Sequence, residues 1–251
     1  AMVDNEPANL HAIARHHGDK DILLLHANMI FDTSSAHTNQ EIATGVEYDL
    51  TELIQEKSLP AHVQFVWHGV NDESILRQFL ASNVTWAELH VRYDGSRNRI
   101  VLRRRKFEDL PRKAGEEIVY IEDFLSILKH ADRCVKLDIK DIGLTNRVID
   151  LLKDYRFEDE RIWISSSLYK IQKSGIRLFS EEFPGSIRQT PVDFLSPLLS
   201  SSPIEFRIYL EMFRRLGLNR FSVNWKTRNC RSMVNEIQSR GFDVNIYNVP
   251  D

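Results

Sequence analysis

The chain has 251 residues, 42% of them hydrophobic and 27% charged, with a formal net charge of -3. That composition can bury a substantial core and excludes the broadly basic surface of a nucleic-acid or anionic-membrane binder. No apolar run approaches the roughly 20 residues of a membrane helix, no signal peptide is visible at the start, and the two cysteines, Cys134 and Cys230, form neither a metal motif nor a disulfide framework. The expectation is a reduced, cytoplasmic protein with one domain over residues 1–251.

In chain order, apolar or alternating segments predict strands at 21–31, 63–69, 87–93, 134–140, 161–167, 186–191, 220–225 and 242–249. Amphipathic stretches between them predict helices over 72–82, 121–131, 144–155, 203–217 and 227–241, the last two stopping on Gly217 and Gly241. Alternating strand and helix signals point to βα units.

The strands are two-faced. Val135, Leu137 and Ile139 alternate with Lys136, Asp138 and Lys140, while Glu88, His90 and Arg92 oppose Leu89 and Val91. A surface antiparallel sheet would do the same, with its polar face wet. Helical connections instead favour a parallel sheet with its apolar face under helices, so the polar faces need a shared interior. An α/β fold of the (β/α)8 TIM-barrel type supplies it, with the site at the C-terminal strand ends. An open doubly wound sheet is the alternative, though no Gly-rich phosphate loop follows any strand.

Polar residues collect near those strand ends: His68, Glu88, His90, Asp138, Lys140, Ser165, Ser167, Arg188, Asn224, Lys226, Asn245 and Tyr247, with His26 and Asn28 on the first strand. Two carboxylates from neighbouring strands suit a hard divalent cation. Lys140 and Arg188 suit a phosphate, and His68 suits proton transfer or nucleophilic attack. Each has a bland counterpart. His68 could cap its strand, Glu88 and Asp138 could pair with Lys136, Lys140 or Arg92, and the run Arg103-Arg104-Arg105-Lys106 reads as a solvated loop.

The stretch "HGVNDESILRQFLASNVTWAELHVRYD" resembles the opening of the glycerophosphodiester phosphodiesterase superfamily. Sphingomyelinase D enzymes have a similar start, a His-x-Val-Asn run like His68-Gly69-Val70-Asn71. "WHGVN", "AELHV", "KLDIK" and "RIWISS", in that order, are most similar to the menorin branch. The resemblance implies a phosphodiesterase-type barrel with His68 at the first catalytic position and Lys140 near the phosphate. It places Glu88 and Asp138 at metal positions, so a divalent metal (Mg²⁺, Ca²⁺ or Mn²⁺ ahead of Zn²⁺) is expected there with His90 as a further ligand. The strand-end residues Arg188, Asn224, Lys226, Tyr247 and His26 are the expected substrate contacts.

Two positions depart from that family. His90 stands where the family has an Asp, a change that suits Mn²⁺ or Zn²⁺ better than Mg²⁺. The stretch "NRIVLRRRKFED" holds no second histidine. Counted from 63–69, only seven strands precede the C-terminus, so the chain reads as a permuted barrel whose last helix and strand come from the N-terminal "PANLHAIARHHGDKDILLLHANMIF". The function expected is metal-dependent hydrolysis of a small phosphodiester or lysophospholipid headgroup. The alternatives are a non-catalytic, menorin-like recognition protein with a protein partner, and a zinc hydrolase built on His26, His68 and His90.

Overall fold

A computed structural model describes residues 2–4, 24–26, 64–112 and 118–247. Two short strands, Met2–Asp4 (β1) and Leu24–His26 (β2), pair in parallel with each other in a sheet of their own. Among the described residues β2 forms no ladder with either edge of the main sheet, so the expected closure of the barrel by the N-terminal strand is not seen. An apolar run such as "ILLLH" suits any parallel neighbour, and its pattern does not select which edge it joins.

The main sheet is built from Val66–Trp67 (β3), Trp86–Asp94 (β4), Arg99–Leu102 (β5), Cys134–Ile139 (β6), Ile162–Ser165 (β7), Ile187–Pro191 (β8), Arg220–Asn224 (β9) and Asp243–Tyr247 (β10). Its order is β3-β4-β6-β7-β8-β9-β10, all parallel, with β5 antiparallel to β4. The crossovers contain Glu73–Ala81 (α1), Ile121–His130 (α2), Thr145–Asp154 (α3), Leu168–Glu182 (α4), Ser196–Ser201 (α5), Pro203–Arg215 (α6) and Cys230–Gln238 (α7). A helix is the usual way to return a parallel strand to the same edge direction.

The alternation seen in the sequence sorts the two faces. Leu89, Val91, Val135, Leu137, Ile139, Phe221 and Val223 are buried in one core with Phe79, Phe124, Leu128, Leu152, Phe179, Leu210 and Met233 from the helices. The other face carries Glu88, His90 and Lys136, also buried, on strands whose ladder sets Glu88 beside Lys136 and His90 beside Asp138. The sheet curls into a half-barrel with this polar face inside. Arg220, at the start of β9, donates to Gln64 Oε1 just ahead of β3 at 2.9 Å. Trp163 fills the floor, with the Trp86 ring edge-on at 5.6 Å and the Lys136 and Arg220 cations at 4.6 Å and 4.3 Å from it. Among the described residues no ladder joins β3 to β10, so full closure is not seen.

Four elements have no counterpart among the sequence expectations: β1, β5, α4 and α5. In α4 the helical pattern is interrupted at Gln172, whose φ of 62° breaks the turn sequence. Among the described residues no helix is long and apolar enough to cross a membrane.

Candidate functional site

The segment after β3 assembles one corner of the site residue by residue. His68 ends the strand, and Gly69 turns the chain at φ 75°, a backbone region that favours glycine. A Cβ there would approach His90 Cε1 at 3.7 Å. The turn brings Asn71 back onto β4. Asp72 then caps α1, its carboxylate accepting from the Ile75 N–H at 2.9 Å.

Asn71 grips His90 twice. Its Oδ1 accepts from the His90 backbone N–H at 2.9 Å, and its Nδ2 lies 2.8 Å from His90 Nδ1. A backbone N–H only donates, so the amide cannot be flipped. The Asn71 NH₂ only donates as well, so His90 Nδ1 accepts and the neutral ring carries its proton on Nε2. That Nε2 faces Asp138 Oδ2 at 3.9 Å, and the His68 ring stands edge-on to His90 at a centroid distance of 4.9 Å.

Charges here are paired across neighbouring strands. Lys136 Nζ lies 3.0 Å from Glu88 Oε2, both buried, and Lys140 is in direct contact with Asp138. Burial pushes the Glu88 carboxyl up, but Lys136, ahead of the two imidazoles, outweighs it and holds the pKa at about 2. Burial lowers His90 to about 3 against the pull of Glu88, and it lowers His68 as well. Both imidazoles are therefore neutral near pH 7, and Glu88 is ionised.

One cavity of about 360 Å³ gathers these groups. Its charged wall holds His68, Glu88, His90, Arg104, Lys136, Asp138, Lys140 and Lys170, and its neutral wall holds Ser165, Gln189, Ser222, Asn245 and Tyr247. The sequence-derived set thus converges on one mouth for His68, Glu88, His90, Asp138, Lys140 and Tyr247. Asn71, Arg104, Lys136, Lys170 and Gln189 were not singled out for the site. The first holds His90 and the rest line the cavity. Parity was the available signal for Lys136, which shares the inward face of β6 with Asp138, whereas Gln189 is brought inward by its register beside Ser165. Arg104 belongs to the run read as a solvated loop, and β5 carries it back to the mouth.

Three expected contributors are placed elsewhere. Arg188 points to the outer, helix-covered face, because the inward residue of β8 is Gln189. Its guanidinium donates to the carbonyls of Gly217, Phe183, Pro184 and Ser186 at 2.6–3.2 Å and is a structural clamp. Asn224 caps a turn, its Oδ1 accepting from the Lys226 N–H at 2.9 Å, and Lys226 itself is exposed and does not line the cavity. His26 lies in β2, and its side chain is outside the described residues. Tyr247 does line the cavity. Its hydroxyl donates to Asp193 Oδ2 at 2.8 Å, and burial together with that bond raises its pKa to about 12.

Donor atoms of His68, Glu88 and His90 all lie within 4.8 Å of one another, close enough to surround one metal ion. Two imidazoles and a carboxylate suit a borderline ion. Their present bonds suit it less well. Glu88 is engaged by Lys136, and the free nitrogen of His90 carries a proton that a metal would have to displace. The expected partner Asp138 is likewise engaged, by Lys140.

No family model matches the sequence, and no curated protein matches it. Among solved structures, the chain is similar to a protein of Agrobacterium tumefaciens str. C58 assigned as a glycerophosphoryl diester phosphodiesterase, with 14% identity and a TM-score of 0.51 over 69% of this chain and 77% of that one. It is also similar to a glycerophosphoryl diester phosphodiesterase of Parabacteroides distasonis, with 14% identity and a TM-score of 0.39 over 84% and 87% of the two chains. The first likeness is one of fold, a TIM-barrel-like α/β architecture. The narrower menorin resemblance finds no support in these comparisons.

Proposed function

We propose that the chain is a phosphodiester hydrolase acting on a small phosphodiester, such as a glycerophosphodiester or a lysophospholipid headgroup. The observation that carries this reading is the convergence of a neutral His68 and the cations Arg104, Lys140 and Lys170 in one cavity at the C-terminal strand ends. Its size of about 360 Å³ suits a small ligand, and the name assigned to the Agrobacterium structure agrees with it.

In this reading the phosphodiester anion sits among Arg104, Lys140 and Lys170, which offset the charge that builds on its oxygens. His68, kept neutral by burial, takes a proton from the attacking water as its oxygen bonds to phosphorus, and returns that proton to the leaving alkoxide as the P–O ester bond breaks. The Nε2–H of His90, held in place by Asn71, donates to the same anion. The resemblance also implies metal dependence. An ion held by Glu88, His90 and Asp138 would polarise the phosphoryl group, but it would have to break the Lys136 and Lys140 pairs first.

The test is hydrolysis of a panel of glycerophosphodiesters and lysophospholipids by the full chain, with His68→Ala as control. Release of phosphomonoester that vanishes in the variant is the expected result, and no turnover of any member would sink the reading. The second reading, a barrel that binds without turnover, is favoured by one observation: both carboxylates already have lysine partners. It predicts ligand binding by calorimetry with no product over days.

A further inference from the structure

We infer that the Lys136 ammonium stands where a divalent cation would, so that the cavity binds its phosphoryl anion without a metal ion, through Lys140, Lys170 and the Nε2–H of His90. The inference deepens the phosphodiester reading above and rests on it for the class of ligand. Its own support is geometric.

Lys136 Nζ occupies Glu88 Oε2 at 3.0 Å in a buried pocket, and its other side faces the Trp163 ring at 4.6 Å. A cation in contact with a carboxylate and an aromatic face is already well placed, and an ion entering the same carboxylate would meet like charge. The tautomer of His90 points the same way. Asn71 can only donate to Nδ1, so Nε2 presents a proton to the cavity, where a metal ligand would present a lone pair. The charge balance agrees. Arg104, Lys136, Lys140 and Lys170 face Glu88 and Asp138 across the cavity, four positive groups against two negative. A divalent cation would widen that surplus, whereas a phosphate anion reduces it.

The first experiment titrates inorganic phosphate into the full chain by calorimetry, in EDTA and then with MgCl₂, MnCl₂ or ZnCl₂. Saturable binding in EDTA that changes by less than about twofold with metal is the expected result. Binding that appears only with metal, or tightens more than about tenfold, overturns the inference. Lys136→Met should weaken phosphate and expose Glu88 to Mn²⁺, giving one new saturable Mn²⁺ site that the parent chain lacks. An equal Mn²⁺ response in parent and variant counts against it.

Because Lys136→Met leaves a buried carboxylate unpaired and could fail to fold, a second measurement reads His90 directly. Long-range ¹H–¹⁵N spectra of histidine-labelled protein should show the proton on Nε2, unchanged by one equivalent of ZnCl₂. Asn71→Ala, at a partly exposed loop position, should give a mixture of both tautomers. Displacement of the Nε2 proton by Zn²⁺ in the parent chain overturns the inference. The two readings separate cleanly. Phosphodiester hydrolysis that requires Mg²⁺ or Mn²⁺ overturns this inference and leaves the proposed function standing. Metal-independent phosphate binding without turnover of any phosphodiester does the reverse.

Discussion

The two halves of the cavity are built on different principles. On the side of β3, β4 and β6 every carboxylate has a lysine partner, Glu88 with Lys136 and Asp138 with Lys140, the first pair set side by side by strand register. On the side of β7 to β10 the strands contribute a neutral lining, from Ser165, Gln189, Ser222, Asn245 and Tyr247, and the only lining cation among the described residues comes from a helix, Lys170 of α4. Its one charged support, Asp193, sits behind the wall and accepts from the Asn224 N–H, the Thr227 hydroxyl and the Tyr247 hydroxyl at 2.6–2.8 Å. The charged half is nearly self-satisfied and offers preset donors to an anion. The neutral half keeps an opening, for Gln189 Oε1 is buried without a hydrogen-bond partner although its Nε2 donates to Ser165 Oγ at 3.3 Å. A buried acceptor left unmade is costly, and a ligand hydroxyl would satisfy it. Under the proposed function, phosphate would be recognised by the first half and the ligand's alcohol portion by the second.

The largest expected effect lies in the charged half. His68→Ala should lower phosphodiester turnover by about 10³-fold, near 4 kcal/mol of barrier, with the urea midpoint almost unchanged. A comparable rate in the variant would remove His68 from the chemistry. Glu88→Gln leaves Lys136 buried against an uncharged partner and should lower stability by about 3 kcal/mol in urea unfolding. A loss under about 1 kcal/mol would mean that Lys136 escapes to solvent. Arg188→Met removes donors to four backbone carbonyls and should lower stability by about 2 kcal/mol while phosphate affinity stays within about twofold. Weakened phosphate binding in that variant would place Arg188 back in the site.

Smaller effects test the neutral half. Gln189→Leu should weaken a hydroxyl-bearing phosphodiester about tenfold and leave inorganic phosphate unaffected. Equal losses for both ligands would erase the distinction between the halves. Tyr247→Phe should lower stability by about 1 kcal/mol by removing one hydrogen bond to Asp193. Spectrophotometric titration should also find a tyrosine near pH 12 that the variant lacks. Since the folded pKa is raised, the Tyr247 contribution is fully present below the unfolded tyrosine value and fades as pH rises through about 12.

Strand and helix placement was largely legible, because period-2 and period-3.6 patterns are local. "CVKLDIK" read as a two-faced strand and forms β6, with its apolar side in the core and Lys136 and Asp138 inside the barrel. Parity then places Glu88 and His90 on the same wall as Asp138, as alternation requires. Where parity was not applied the reading failed, as with Arg188, since β8 begins at Ile187 and turns Gln189 inward. The break in α4 at Gln172 and the short β5 hairpin have weak local patterns and were invisible.

Pairing is what only the tertiary structure decided. The residue types named both a metal reading for Glu88 and Asp138 and a lysine-paired one, and composition cannot choose between them, because the two need the same residues on the same faces. The choice depends on register, which sets Lys136 opposite Glu88, and on the turn at Gly69, which carries Asn71 onto His90. The partner of β2 is a further case, chosen by the edges available in space. Side-chain period follows from the backbone of a single segment, whereas ion pairs, tautomers and strand partners depend on which segments meet.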